Sequence, residues 1–85
     1  MELAKYLADE DLTLAQFARH VAPAGGPIPE ESTVARWRDG LLFPSPKNME
    51  RIEIVTGKAV TYLDFQLVRE RIRNGEAFNE TERSA

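Results

Sequence analysis

Apolar residues recur along the chain at three- and four-residue intervals, broken by clusters of proline, glycine and acidic residues, a pattern of short amphipathic helices. Leu3, Tyr6 and Leu7 share a face and predict a first helix ending near Asp9, where Asp9-Glu10-Asp11 makes a solvated break. Thr13 with Gln16 three residues on is a capping box, each side chain satisfying a free amide at the helix start. Leu14, Phe17, Ala18 and Val21 then continue at helical spacing and predict a helix over 14–21. Residues 22–29 hold three prolines and two adjacent glycines, which remove amide donors and widen the accessible backbone range, so the helix stops there. A third helix is predicted over 30–39, with Val34 and Trp37 three apart, and Gly40 supplies its left-handed terminus. Its acidic start, Glu30 and Glu31, and its basic later turns, Arg36 and Arg38, both suit the helix dipole.

Ser45 before Pro46 reads as N-cap and first helical residue. The fourth helix carries Met49, Ile52 and Val55 inward and closes at Gly57, after which Ala59, Val60 and Thr61 read as extended. Thr61 and Asp64 cap a fifth helix with Leu63, Leu67, Val68 and Ile72 on one broad face, Arg69 and Arg73 on another, and Gly75 at its end. Residues 76–85 contain one large apolar side chain, Phe78, and predict a disordered tail. The expectation is an all-α domain of five short helices over residues 1–75, followed by a flexible tail over 76–85.

Composition narrows what such a domain can do. A chain of 85 residues supports one core. With 42% hydrophobic and 29% charged residues it has a globular balance. The absence of cysteine and the single histidine, His20, exclude disulfides, thiolate zinc sites, thiol nucleophiles and an imidazole cluster. No apolar run has the length of a membrane span and no signal peptide is visible, so a cytoplasmic protein without membrane contact is expected. The net charge of −3 argues against a nonspecific polyanion binder. Both ends are acidic, however, and between them nine basic residues meet seven acidic ones, so a positive face has to be assembled locally.

The third helix is where chemistry concentrates. With Val34 and Trp37 turned inward, Glu31, Ser32, Thr33 and Arg36 line its exposed face, and all can hydrogen bond. A helix fits the DNA major groove, where arginine donates two bonds to guanine, serine bonds to any base edge and glutamate accepts from cytosine.

In order and spacing these residues resemble the Cro/CI-type, lambda repressor-like helix-turn-helix regulators of phages and bacteria. The matching elements are Leu12-Thr13 before Phe17-Ala18, Thr33 to Gly40, Pro44-Ser45-Pro46 leading to Ile52 and Thr56-Gly57, and the segment Val60-Thr61 with Asp64-Phe65, which looks like the tail of Cro-like members in particular. The resemblance covers residues 3–65. It implies that Glu31, Ser32 and Arg36 face bases, that Thr33 lies at the margin, that Lys47 and Asn48 lie near phosphates, and that Gly40 ends the recognition helix. Three departures stand out. Leu14 replaces the phosphate-binding glutamine usual at the start of the second helix, with Gln16 close by as the DNA-facing candidate. Leu41, Leu42 and Phe43 follow Gly40 where lysine or arginine is common, and the turn of residues 22–29 is long. They bear on phosphate anchoring and docking angle more than on fold.

Plainer roles stand beside these. Arg36 can instead pair with Glu31 or Asp39, and Glu31 can serve only the helix start. Trp37 is a core residue by spacing rather than a stacking platform, and His20 suits a helix end. Lys47 with Arg51, and Arg69 with Arg73, read as solvated pairs. Leu41, Leu42 and Phe43 cannot all point inward from a turn, and such a patch marks a protein contact. This patch, or the apolar face of the last helix, is the expected homodimer interface, which matches two half-sites about one DNA turn apart.

The leading expectation is a Cro-like repressor binding double-stranded DNA as a dimer, with the transcription machinery as a further contact. The alternative is an adaptor or antitoxin-like module that keeps the fold without strong DNA binding. No nucleophile sits beside a base and no glycine loop matches phosphate binding, so no enzymatic activity, cofactor or metal is expected.

Overall fold

The computed structural model describes residues 1–74, which form five α-helices and no strand: α1 Leu3–Asp9, α2 Leu14–Val21, α3 Glu31–Asp39, α4 Pro46–Val55 and α5 Tyr62–Arg73. The helix end expected at Gly75 and the tail over 76–85, with Phe78, lie outside the described residues.

Local chemistry sets the helix starts. The Thr13 hydroxyl accepts from the Gln16 amide at 3.1 Å while Gln16 Oε1 accepts from the Thr13 amide at 2.8 Å, the reciprocal box read from the sequence. Ser45 Oγ accepts from the Asn48 amide at 3.2 Å, and Pro46 occupies the first turn of α4, where its missing amide costs nothing. At α5 the Asp64 carboxylate accepts from the Thr61 amide at 2.8 Å and the Thr61 hydroxyl at 3.1 Å. It also meets the Met1 ammonium at 2.9 Å, and Arg71 of α5 pairs with Glu2, so the chain start is tied to α5 at two points. α3 starts one residue later than its pattern predicts: Glu30 is extended at the cap position, and its side chain makes no capping bond.

Phe17, Val21, Val34, Trp37, Ile52 and Val60 are fully buried, with Leu3, Leu7, Ala18, Met49 and Phe65 around them. α3 packs against α2 and α1, and α2 also packs against α4. Tyr6 meets Phe17 edge to face with ring centroids 6.2 Å apart. Two sequence expectations need correction. Ala59 and Val60 lie in a bend rather than a strand-like stretch, and Thr61 has extended backbone, with φ −127°. In α5 the inward residues are Phe65 and Val68 with Ile72 half-buried, whereas Leu63 and Leu67 point to solvent. α5 is apolar on more than one face, so leucine periodicity alone does not fix its rotation. Its packing against Gly40, which follows the last residue of α3 and lies beside Val68 and Ile72, does.

The α4–α5 bend is held by Thr56, the one buried polar side chain among the described residues. Its hydroxyl donates to the Ile52 carbonyl at 2.7 Å and accepts from the Val60 amide at 3.2 Å. Thr56→Val keeps the shape but leaves that buried amide unsatisfied, so a loss of about 1–3 kcal/mol is expected in urea unfolding. A loss of only a few tenths would show that the hydroxyl is dispensable.

Candidate nucleic-acid interface

Burial of Val34 and Trp37 fixes the rotation of α3 and determines which flank stays bare. Glu31, Ser32 and Arg36 are exposed on that flank and Thr33 is half-buried at its edge. Arg38 and Asp39 neutralise each other through bonds of 2.8 and 3.0 Å. The Arg38 bond holds the Asp39 carboxyl below its ordinary range. Asp39 is therefore engaged by Arg38 and not by Arg36. Among the described residues the Arg36 guanidinium has no hydrogen-bond or ion-pair partner, so its five donors remain available. Its backbone carbonyl accepts from the Leu41 and Leu42 amides at 2.9 and 3.3 Å, closing the turn after α3.

α2 contributes Gln16, Arg19 and His20, all exposed. Gln16 Oε1 is occupied by the capping box, which leaves only its Nε2 group to donate outward. Leu14 is half-buried against the core, so in this chain the first position of α2 is a packing position. Arg19 was not singled out in the sequence, yet it lines one surface crevice with Ala18, Ile28, Glu31 and Ser32. The available signal was its place three residues after Gln16, on the same exposed face.

Lys47, exposed, and Asn48, half-buried, stand at the start of α4 and line a second crevice with Pro23, Pro27 and Arg51. The turn of residues 22–29 thus borders both crevices, reaching from the first turn of α4 to the first turn of α3. The structure brings Arg19, Glu31 and Ser32 together, keeps Lys47 and Asn48 beyond the turn, and leaves Arg36 alone further along α3. Arg51 is not a free surface charge, since its Nε donates to the Val21 carbonyl at 3.3 Å and covers the end of α2.

Arg69 also departs from the solvated role expected of it. Its Nε donates to the Gly40 carbonyl at 3.0 Å, and its guanidinium lies 4.7 Å from the centre of the Phe43 ring. Phe43 in turn meets Tyr62 edge to face at 5.6 Å. Of the three apolar residues after Gly40, Phe43 is therefore used internally, while Leu41 and Leu42 are exposed. Leu63 and Leu67 form a further exposed pair one turn apart on α5.

Among the described residues, no group of three or more His, Asp or Glu side chains converges to hold a metal, and no helix is long and apolar enough to cross a membrane. No known family model, curated protein or solved structure matches the chain.

Proposed function

We propose that this protein is a sequence-specific regulator of transcription that binds double-stranded DNA through a Cro-like helix-turn-helix unit, with α3 as the recognition helix. The observation that carries this reading is the bare polar flank of α3, with Ser32 and an unpartnered Arg36 outward while Val34 and Trp37 anchor the opposite side. A rod of nine residues, about 13 Å long, fits the major groove end-on or along it. Arg36 reads guanine, Ser32 and Glu31 contact neighbouring bases, and Thr33 stands at the margin. Gln16 Nε2, Arg19, Lys47 and Asn48 face phosphates.

So few cations give a single subunit weak anchoring, so the protein works as a homodimer, as a cytoplasmic repressor. The exposed Leu63–Leu67 pair or Leu41 and Leu42 provide the apolar contact. The second reading, a protein-binding module with the same fold, draws support from those exposed leucines and the net charge of −3.

Binding to a random duplex pool across salt concentrations separates the two. A regulator retains a defined sequence and loses affinity steeply as salt rises, through counterion release. Saturable, salt-insensitive binding to a protein with no duplex retained selects the second reading. On the selected duplex, Arg36→Ala is expected to weaken binding by about 1–3 kcal/mol and to relax one base position. Lys47→Ala should instead weaken all duplexes alike and reduce the salt slope. Unchanged base preference in the Arg36 variant rejects its assigned role.

A further inference from the structure

The turn between α2 and α3 carries a large apolar side chain in the open. Ile28 is 56% exposed although it sits two residues ahead of the α3 cap position, within the crevice that also holds Arg19, Glu31 and Ser32. It is not on a slack loop. Pro29 biases the Ile28 backbone toward extended conformations, and Pro27 fixes its own φ just before it. Upstream, the Gly26 amide donates to the Pro23 carbonyl at 2.9 Å, and Gly26 sits so close to the Pro23 ring that a Cβ there would lie 2.4 Å from Pro23 Cγ. The Pro23–Gly26 closure and the neighbouring prolines narrow the conformations open to this segment, so less ordering remains to be done on contact.

What such a group meets follows from the reading of α3 as a recognition helix, on which this inference rests. Helix-turn-helix proteins bring the N-terminal residues of that helix to the base edges, and Ile28 shares a crevice with two of them. Most of the major-groove edge is hydrogen-bonding surface, where an isoleucine gains nothing. Its apolar feature is the 5-methyl group of thymine. We propose that Ile28 is a specificity-determining residue that packs against a thymine methyl next to the base pairs contacted by Ser32 and Glu31. The long turn is then part of the reading surface rather than a mere connection.

Replacing thymidine by deoxyuridine removes that methyl and nothing else. On the duplex selected from a random pool, each thymidine is replaced in turn, and affinity is measured for the native chain, Ile28→Ala and Ile28→Val. One position per half-site is expected to cost the native chain about three- to five-fold, the worth of one buried methyl. Ile28→Ala should be indifferent to deoxyuridine at that position, while Ile28→Val, which keeps a branched apolar surface, should retain part of the penalty. Helical content of both variants, checked by circular dichroism, should be native because the side chain is exposed.

If the native chain tolerates deoxyuridine everywhere, or Ile28→Ala keeps the full penalty, Ile28 has no such role while DNA binding stands. A mass in solution that falls when Ile28 is changed overturns the assignment in favour of a contact between two copies. If no duplex is retained at all, the DNA reading fails and takes this one with it.

Discussion

Trp37→Ala is expected to cost about 3–5 kcal/mol, the range for truncating a large buried aromatic. Trp37 is 1% exposed and is the largest of the fully buried side chains. It stands on the α3 helix that packs against both α1 and α2, so the cavity left behind opens on elements that cannot close it without moving α3 as a whole. A domain of this length has a total stability of about 4–13 kcal/mol, so the loss is a large fraction of it. Urea unfolding followed by far-ultraviolet circular dichroism gives the value, since the variant has no tryptophan left to report by fluorescence. A cost below about 1.5 kcal/mol, the range of well-tolerated core swaps, would mean that the core is organised around something else. Trp37→Phe, which keeps an aromatic ring in place, should lose much less and should keep the orientation of Arg36.

The link from Trp37 to Arg36 explains which parts of the molecule were legible in the sequence. Helix positions followed from spacing and from local caps, because Thr13 with Gln16, Ser45 with Pro46, and Thr61 with Asp64 each act within three residues. The bare flank of α3 was equally legible, because Val34 and Trp37 are two strong apolar residues on an otherwise polar helix and allow only one rotation. α5 was not. Tyr62, Leu63, Phe65, Leu67, Val68 and Ile72 surround it with apolar side chains, so its rotation depends on what it touches. The roles of Arg51 and Arg69 were hidden for the same reason. Each covers a backbone carbonyl about thirty residues away in the chain, Val21 and Gly40 respectively, and nothing in local spacing announces a contact of that range. Arg19 escaped because the sequence does not say where the long turn puts the start of α3 relative to α2.

The Arg69 contact marks the place where α3 and α5 are joined, and Gly40 is the residue on which that junction turns. Its φ is +77°, a left-handed conformation that side chains other than glycine adopt at a cost of about 1–2 kcal/mol. A Cβ there would also lie 2.6 Å from Ile72 Cδ1 and 2.7 Å from Val68 Cγ1. The isoleucine tip can turn aside, but the β-branched Val68 has little rotamer freedom, so α5 itself has to shift. Overpacking of this kind adds about 1–3 kcal/mol, and Gly40→Ala is expected to cost about 2–5 kcal/mol in total. Gly57 supplies the control, since its φ is +62° and nothing lies within 4 Å of a Cβ built there. Gly57→Ala should therefore show the backbone cost alone, about 1–2 kcal/mol. Equal losses for the two variants in urea unfolding would show that α5 does not bear on α3 at this point. A larger loss for Gly40→Ala, with Arg69→Ala also destabilising, fits α5 as the brace that sets the end of α3, and with it the position of Arg36.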